Sequence, residues 1–219
     1  MTSAIIAGIP ASTLVSEQKS YSHGNRGLIC GVGVNDFPTA VRVNGVKLKS
    51  YVTWHNMLLR SYSPEYQARA STYVGCSVAQ EWLLFSVFEK WYTENYVEGY
   101  QLDKDLLVQG NKVYSSDLCV FVEPALNTLL GRGTHQKSNL PLGVSLTKRG
   151  FTAKARSYYY RKYLGYFDTP LEAHRAWQLA KALIIENFPT NDPRIRKALD
   201  LRVAQLRDDH ANNRTTTKL

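Results

Sequence analysis

The sequence predicts an α+β protein, and three observations carry that prediction. Val-rich runs flank Asn44-Gly45, the dipeptide that favours a two-residue hairpin turn. Apolar residues recur every three or four positions through 51–62 and again through 78–92, the period of a helix with one buried face. Towards the C-terminus, short basic strands run into one sharply capped helix.

Residues 1–27 are rich in Ser, Gly and Ala without firm periodicity, and a loose arm is expected there. The GVGVN glycines that follow resemble a phosphate loop only superficially, because no Gly-Lys-Ser/Thr comes after them. Tyr51, Trp54 and Leu58 mark the first helix, with His55 beside its stripe. Val78, Trp82, Phe85, Phe88 and Trp91 predict a second helix over about 78–92, whose aromatic stripe reads as core rather than as a cofactor box. Residues 100–130 read as a strand ending in the acidic cluster Asp103-Lys104-Asp105, a Gly110-Asn111 turn, a short strand and a short helix. Gly, Ser, Asn and Pro crowd together in 131–141, the best linker candidate.

In the basic segment, Thr152, Lys154, Arg156 and Tyr158 alternate onto one strand face, and Phe151, Ala153 and Ala155 onto the other. A second strand covers 161–167. Thr169, Pro170 and Glu172 then form a capping box with proline in the first turn. Ala173, Ala176, Trp177, Ala180 and Ile184 make the buried stripe of that helix, their small side chains allowing close approach to a sheet. Phe188-Pro189 ends it, a mixed-charge helix is expected over about 193–209, and disorder over 211–219. The expected organisation is therefore an arm (1–27), a first domain (28–130), a linker (131–141), a sheet-plus-helix domain (142–189) and a helical tail (190–219).

Charge separates these parts. The chain carries a net charge of +9. Residues 132–219 hold 17 Lys/Arg against 7 Asp/Glu, whereas residues 1–131 hold 10 against 11. A basic module joined to a neutral one points to a nucleic-acid partner; the plain alternative is a solvated basic surface. Cys30, Cys76 and Cys119 form no CxxC pair and are odd in number, which argues against a disulfide framework or a cysteine zinc site and for a reducing compartment. No apolar run approaches a membrane span, and no basic region precedes the apolar N-terminal stretch as in a secretory signal.

GVSL, FTAKA and YLGYFDTPLEAHRAWQLAKA together resemble the APETALA/ethylene-response-factor type of DNA-binding domain, also found in phage endonucleases and integrases. The match rests on Gly143-Val144, on Leu164 to Phe167, on Thr169 to Ala173 and on Ala176-Trp177, and covers about 50 residues. The resemblance implies a three-stranded sheet lying in the major groove of double-stranded DNA, with the helix packed behind it. Lys148, Arg149, Lys154, Arg156, Tyr158, Arg161 and Lys162 are the expected DNA contacts, the cations meeting phosphates and guanine edges.

Asp103-Lys104-Asp105, with Asn111 and Asn127, is the candidate chemical site. Its layout resembles the ββα-metal (HNH) nucleases, in which a strand ends in an Asp-His pair and an Asn-bearing helix follows. With TWHNMLLRSYS and TYVGCSVAQEWLLFSVFEKW, the chain is similar to a group of tailed-phage proteins regarded as homing-type endonucleases, over roughly 28–187. The resemblance implies a degenerate ββα-metal domain in which Asp103 and Asn127 hold Mg²⁺ or another divalent metal, Asp105 is a second carboxylate, and the protein works in the cytoplasm of a phage's host bacterium. Lys104 stands where the family has its histidine base, and Leu118 where it has its middle Asn. Between two carboxylates a lysine suits holding phosphate better than accepting a proton; His55 and His135 are the imidazoles that folding could bring in. Three functions follow as expectations: a site-specific, metal-dependent DNA endonuclease; a catalytically inactive DNA-binding regulator or architectural protein; and a phage protein that binds or inhibits a host protein through the aromatic-rich 50–100 region.

Overall fold

The computed structural model describes residues 27–131, 139–157 and 161–219. Most of the expected arm, most of the expected linker, His135 and Tyr158 lie outside the described residues. The elements in order are β1 (Arg42–Val43), β2 (Val46–Lys47), α1 (Lys49–Tyr62), α2 (Pro64–Arg69), β3 (Ser77–Val78), α3 (Phe85–Asn95), β4 (Gln101–Asp103), β5 (Val113–Tyr114), β6 (Val120–Val122), α4 (Pro124–Leu130), β7 (Val144–Thr147), β8 (Gly150–Arg156), β9 (Arg161–Phe167), α5 (Pro170–Glu186) and α6 (Pro193–Ala211). The class is α+β. Among the described residues no helix is long and apolar enough to cross a membrane.

The chain divides into two compact units. The first comprises the residues up to Tyr96 and Asn111–Cys119. Its β1–β2 hairpin turns at Asn44 and Gly45, both at positive φ, as the dipeptide requires. Trp54 and Leu58 of α1 are fully buried with Trp82, Phe85 and Phe88, and the Trp54 indole N–H donates to the Trp82 carbonyl at 2.7 Å. A Cβ on Gly33 would lie 2.3 Å from Leu58 Cδ1 and 3.1 Å from the Trp54 ring, so a larger residue there would force those buried side chains of α1 to move.

The expected single helix over 78–92 is corrected. Ser77 and Val78 instead pair in parallel with Val113 and Tyr114, a 3₁₀ turn covers Gln80–Leu83, and the α-helix starts only at Phe85. The interruption has a tertiary cause: Val34 donates its N–H to Leu83 and accepts the N–H of Phe85, so the backbone there is paired outside any helical ladder. The 3.6-residue aromatic period survives because its side chains face one core in both conformations.

The second unit comprises Val97–Gly110 and Val120–Leu219. This departs from the boundaries expected at 130 and 142: β4, β6 and α4 share one hydrophobic core with β7, β8, α5 and α6, through residues such as Val122, Leu126, Ala153, Trp177 and Leu199. β4 and β6 are antiparallel, Gln101 opposite Val122 and Asp103 opposite Val120. β7, β8 and β9 form the three-stranded antiparallel sheet, with α5 packed on it. The Thr169 capping box is present in full. Gly143, at φ +79°, lies against Trp177; a Cβ there would fall 1.9 Å from the indole Cδ1.

The buried side of α5 is wider than its alanine stripe, because His174, Gln178 and Lys181 are buried as well. Two of them hold the chain's end. His174 Nδ1–H donates to the Leu142 carbonyl at 2.8 Å, and its Nε2 accepts the Thr216 N–H at 3.0 Å. Gln178 donates to the Arg214 carbonyl and to the Thr216 hydroxyl. The expected disorder over 211–219 is thereby corrected: Thr216 is only 1% exposed. Polar residues at that end are docked by hydrogen bonds, which the hydrophobic pattern does not register.

Candidate nucleic-acid interface

The sheet has one covered and one open face. On β8, Ala153 and Ala155 are completely buried against the α5 side, while Lys154 and Arg156 are exposed. Thr152, expected on the open face with them, is buried, its hydroxyl donating to the Ser145 carbonyl at 3.3 Å. β9 carries a bulge: Ala153 faces Gly165 whereas Lys154 faces Tyr163, which leaves Leu164 as the extra residue. Three residues apart, Tyr163 and Tyr166 would point to opposite faces of a regular strand. The bulge returns both to the face of Lys154, where their rings meet edge-on at 5.7 Å.

Arg156 and Arg161 are directly opposed in the register. Like charges in that relation repel unless an anion lies between them. Lys148 and Arg149 occupy the β7–β8 turn, closed by the Thr147 hydroxyl, which donates to the Gly150 carbonyl and accepts the Arg149 N–H. Among the described residues none of Lys148, Arg149, Lys154, Arg156 and Arg161 is in an ion pair with a carboxylate. Lys162 is exposed but opposes Ala155 and so belongs to the other side of the sheet, a correction to its expected place. Tyr163 was not anticipated as a contact. Desolvation, then its hydrogen bond with Tyr166, raise its hydroxyl above the usual phenol range, and the Arg149 charge opposes them.

Behind this face, the Lys181 ammonium donates to the carbonyl of Arg156 at 3.2 Å and to that of Leu129 in α4. Burial, then the Arg156 charge, push Lys181 down to about 8. It ties the end of β8 to the C-terminal turn of α4, whose last carbonyls have no partner within the helix.

The acidic segment has a different character. Asp103 Oδ1 accepts the N–H of Asp105 at 2.9 Å and of Leu106 at 2.6 Å, closing the turn after β4. Burial, then the Asp105 charge, raise its carboxyl above the usual range. Lys104 is buried and ion-paired with Asp105 at 3.5 Å. Arg202 of α6, also buried, donates to the Asp105 carbonyl at 3.2 Å and to that of Ala198 at 2.8 Å. Asn127 donates to Gln101 Oε1 at 3.0 Å.

Asn111 belongs to the first unit, where its side chain donates to the Val113 carbonyl and accepts the Val113 N–H; it is not gathered into one unit with Asp103 and Asn127. Leu118 is in the first unit too, as is His55, which lies beside Tyr51 on α1. Among the described residues no group of three or more His, Cys, Asp or Glu could hold a metal ion. The donor set around Asp103 does not fit a divalent ion, which needs several oxygen ligands. One Asp103 carboxylate oxygen caps a turn, and the Asp105 carboxylate is already ion-paired with the buried Lys104.

Comparison with known proteins returned no matching family model, no matching curated protein and no matching solved structure.

Proposed function

We propose that the protein binds double-stranded DNA through the open face of β7–β8–β9 and acts as a regulator or architectural factor. One observation carries this reading: among the described residues no carboxylate pairs with Lys148, Arg149, Lys154, Arg156 or Arg161, which lie on one small sheet and its turn around the Tyr163–Tyr166 pair. Burying such charges in a protein contact would be costly. A polyanion neutralises them and releases counterions. The major groove admits a β-ribbon, so Lys154 and Arg156 reach base edges while the turn cations meet phosphates. Binding of fluorescent duplexes followed across a salt series tests this. Affinity should fall steeply with salt, and Lys154→Ala and Arg156→Ala should each flatten the log–log slope by about 1. Unchanged affinity and slope in both variants would end the model.

A metal-dependent endonuclease is the second reading, and the order of β4, antiparallel β6 and α4 bearing Asn127 favours it. Incubation with supercoiled plasmid and Mg²⁺ or Mn²⁺ separates the two. Discrete cuts lost in Asp103→Ala support cleavage, whereas retarded but intact DNA supports binding alone.

A further inference from the structure

The β1–β2 hairpin takes no part in the core of the first unit. Every residue from Arg42 to Lys47 is exposed, Val43 at 57% and Val46 at 71%. Arg42 faces Lys47 and Val43 faces Val46 in the register, and the side chains of a facing pair share one side of a ribbon. One side is therefore cationic and the other apolar, and both are open to solvent. No acidic residue occurs between Asp36 and Glu65, whereas Arg42, Lys47 and Lys49 all fall there. Among the described residues neither Arg42 nor Lys47 is ion-paired with a carboxylate. Arg42 Nη1 donates to the Gly45 carbonyl at 3.0 Å, and Lys47 Nζ lies 5.7 Å from the centre of the Tyr51 ring.

We propose that the β1–β2 hairpin is a second contact for double-stranded DNA, presented by the first unit. The inference rests on the DNA-binding reading of β7–β8–β9, because the hairpin repeats a feature of that sheet. Two cations are directly opposed across an antiparallel pair, Arg42 and Lys47 here, Arg156 and Arg161 there. Such a pair repels itself unless an anion lies beside it. The two-sided character of the ribbon then selects the partner. A flat anionic surface such as a membrane meets one side and leaves the other in water. The major groove admits a two-stranded ribbon and offers both kinds of contact: phosphates for Arg42 and Lys47, thymine methyl groups for Val43 and Val46. The two-residue Asn44-Gly45 turn keeps the tip of the ribbon narrow.

The test is duplex binding across a salt series by the full chain carrying Arg42→Gln and Lys47→Gln together, which keeps long polar side chains but removes both charges. Each cation that meets a phosphate contributes about 0.9 to the log–log slope, so the slope should fall by about 2 and the affinity on the order of tenfold at low salt. Tm should not move, because both side chains are exposed. The swap Arg42→Lys with Lys47→Arg keeps both charges and should keep the slope. An unchanged slope in the Gln variant overturns the proposal. So does a swap that loses as much slope as the Gln variant, since charge would then not be what the hairpin supplies. Lys154→Ala with Arg156→Ala, run in the same series, tells the two surfaces apart. If that variant loses slope and the Gln variant does not, the sheet binds DNA and the hairpin does not; if the wild-type chain binds no duplex, both fall. Co-sedimentation with vesicles of phosphatidylcholine and phosphatidylglycerol completes the series. Vesicle binding that is lost in the Gln variant while duplex affinity is unchanged would assign the hairpin to a membrane surface and overturn the proposal.

Discussion

The second unit carries two populations of exposed arginine and lysine, and the contrast between them locates the interface. Along α6 and its flanks four arginines are answered from within the chain: Arg194 by Asp192, Arg196 by Asp200, Arg207 by Glu186, and Arg214 by Asp208 and Asp209. On the sheet, no described carboxylate answers Lys148, Arg149, Lys154, Arg156 or Arg161, and two arginines even face each other. Net charge alone treats both groups alike. What differs is whether the fold supplies the counter-charge or leaves it to a partner.

The comparison can be broken or sharpened experimentally. The largest effect is expected where the sheet rests on α5. Gly143→Ala pushes a methyl into the Trp177 indole at positive φ and should cost about 3 kcal/mol in denaturant unfolding. It should also loosen DNA binding, because β7 begins there. Next, Lys154→Ala combined with Arg156→Ala should lower duplex affinity about 30- to 100-fold at low salt and reduce the salt slope by about 2, with Tm nearly unchanged. Arg194→Ala with Arg207→Ala is the matched control; if it weakens DNA binding equally, the contrast between the two populations has no functional meaning.

A smaller effect concerns pH. Burial, the leading cause, lowers the His174 pKa below its ordinary 6.5, and its Nε2 must stay unprotonated to accept the Thr216 N–H. With the folded value below the unfolded one, this stabilisation is present above about pH 6.5 and is lost as pH falls through the folded value. Tm should therefore decline between pH 7 and 5, and His174→Gln should flatten that decline. The smallest effect is Arg207→Ala alone, an exposed pair whose loss should stay below about 0.5 kcal/mol in chemical denaturation.

Local signals were legible wherever the determining chemistry lies within a few residues. Asn44-Gly45 specifies its own backbone, and Thr169, Pro170 and Glu172 specify the start of α5. The alternation of Ala153, Lys154, Ala155 and Arg156 assigns its own faces. The candidate contacts were partly legible for the same reason: Lys154 and Arg156 follow from strand period, whereas Tyr163 and Tyr166 needed the bulge at Leu164, which no local residue pattern announces. The buried polar residues were illegible because hydrophobic periodicity does not register them. His174 is held by Leu142 and Thr216, and Arg202 by Asp105, partners far away along the chain.

By itself, then, the sequence determined the α+β class, the capped helix, the hairpin and the concentration of positive charge in the C-terminal part. These depend on backbone preference, side-chain period and composition, which act at short range. Only the tertiary structure decided that β4, β6 and α4 belong with the C-terminal helices, that the expected second helix is broken at Leu83–Phe85, and that the chain's end is docked. It also decided which cations are already neutralised. Each of those outcomes rests on pairing between segments distant in sequence, where a backbone group or a charge takes whichever partner the packed core brings within reach.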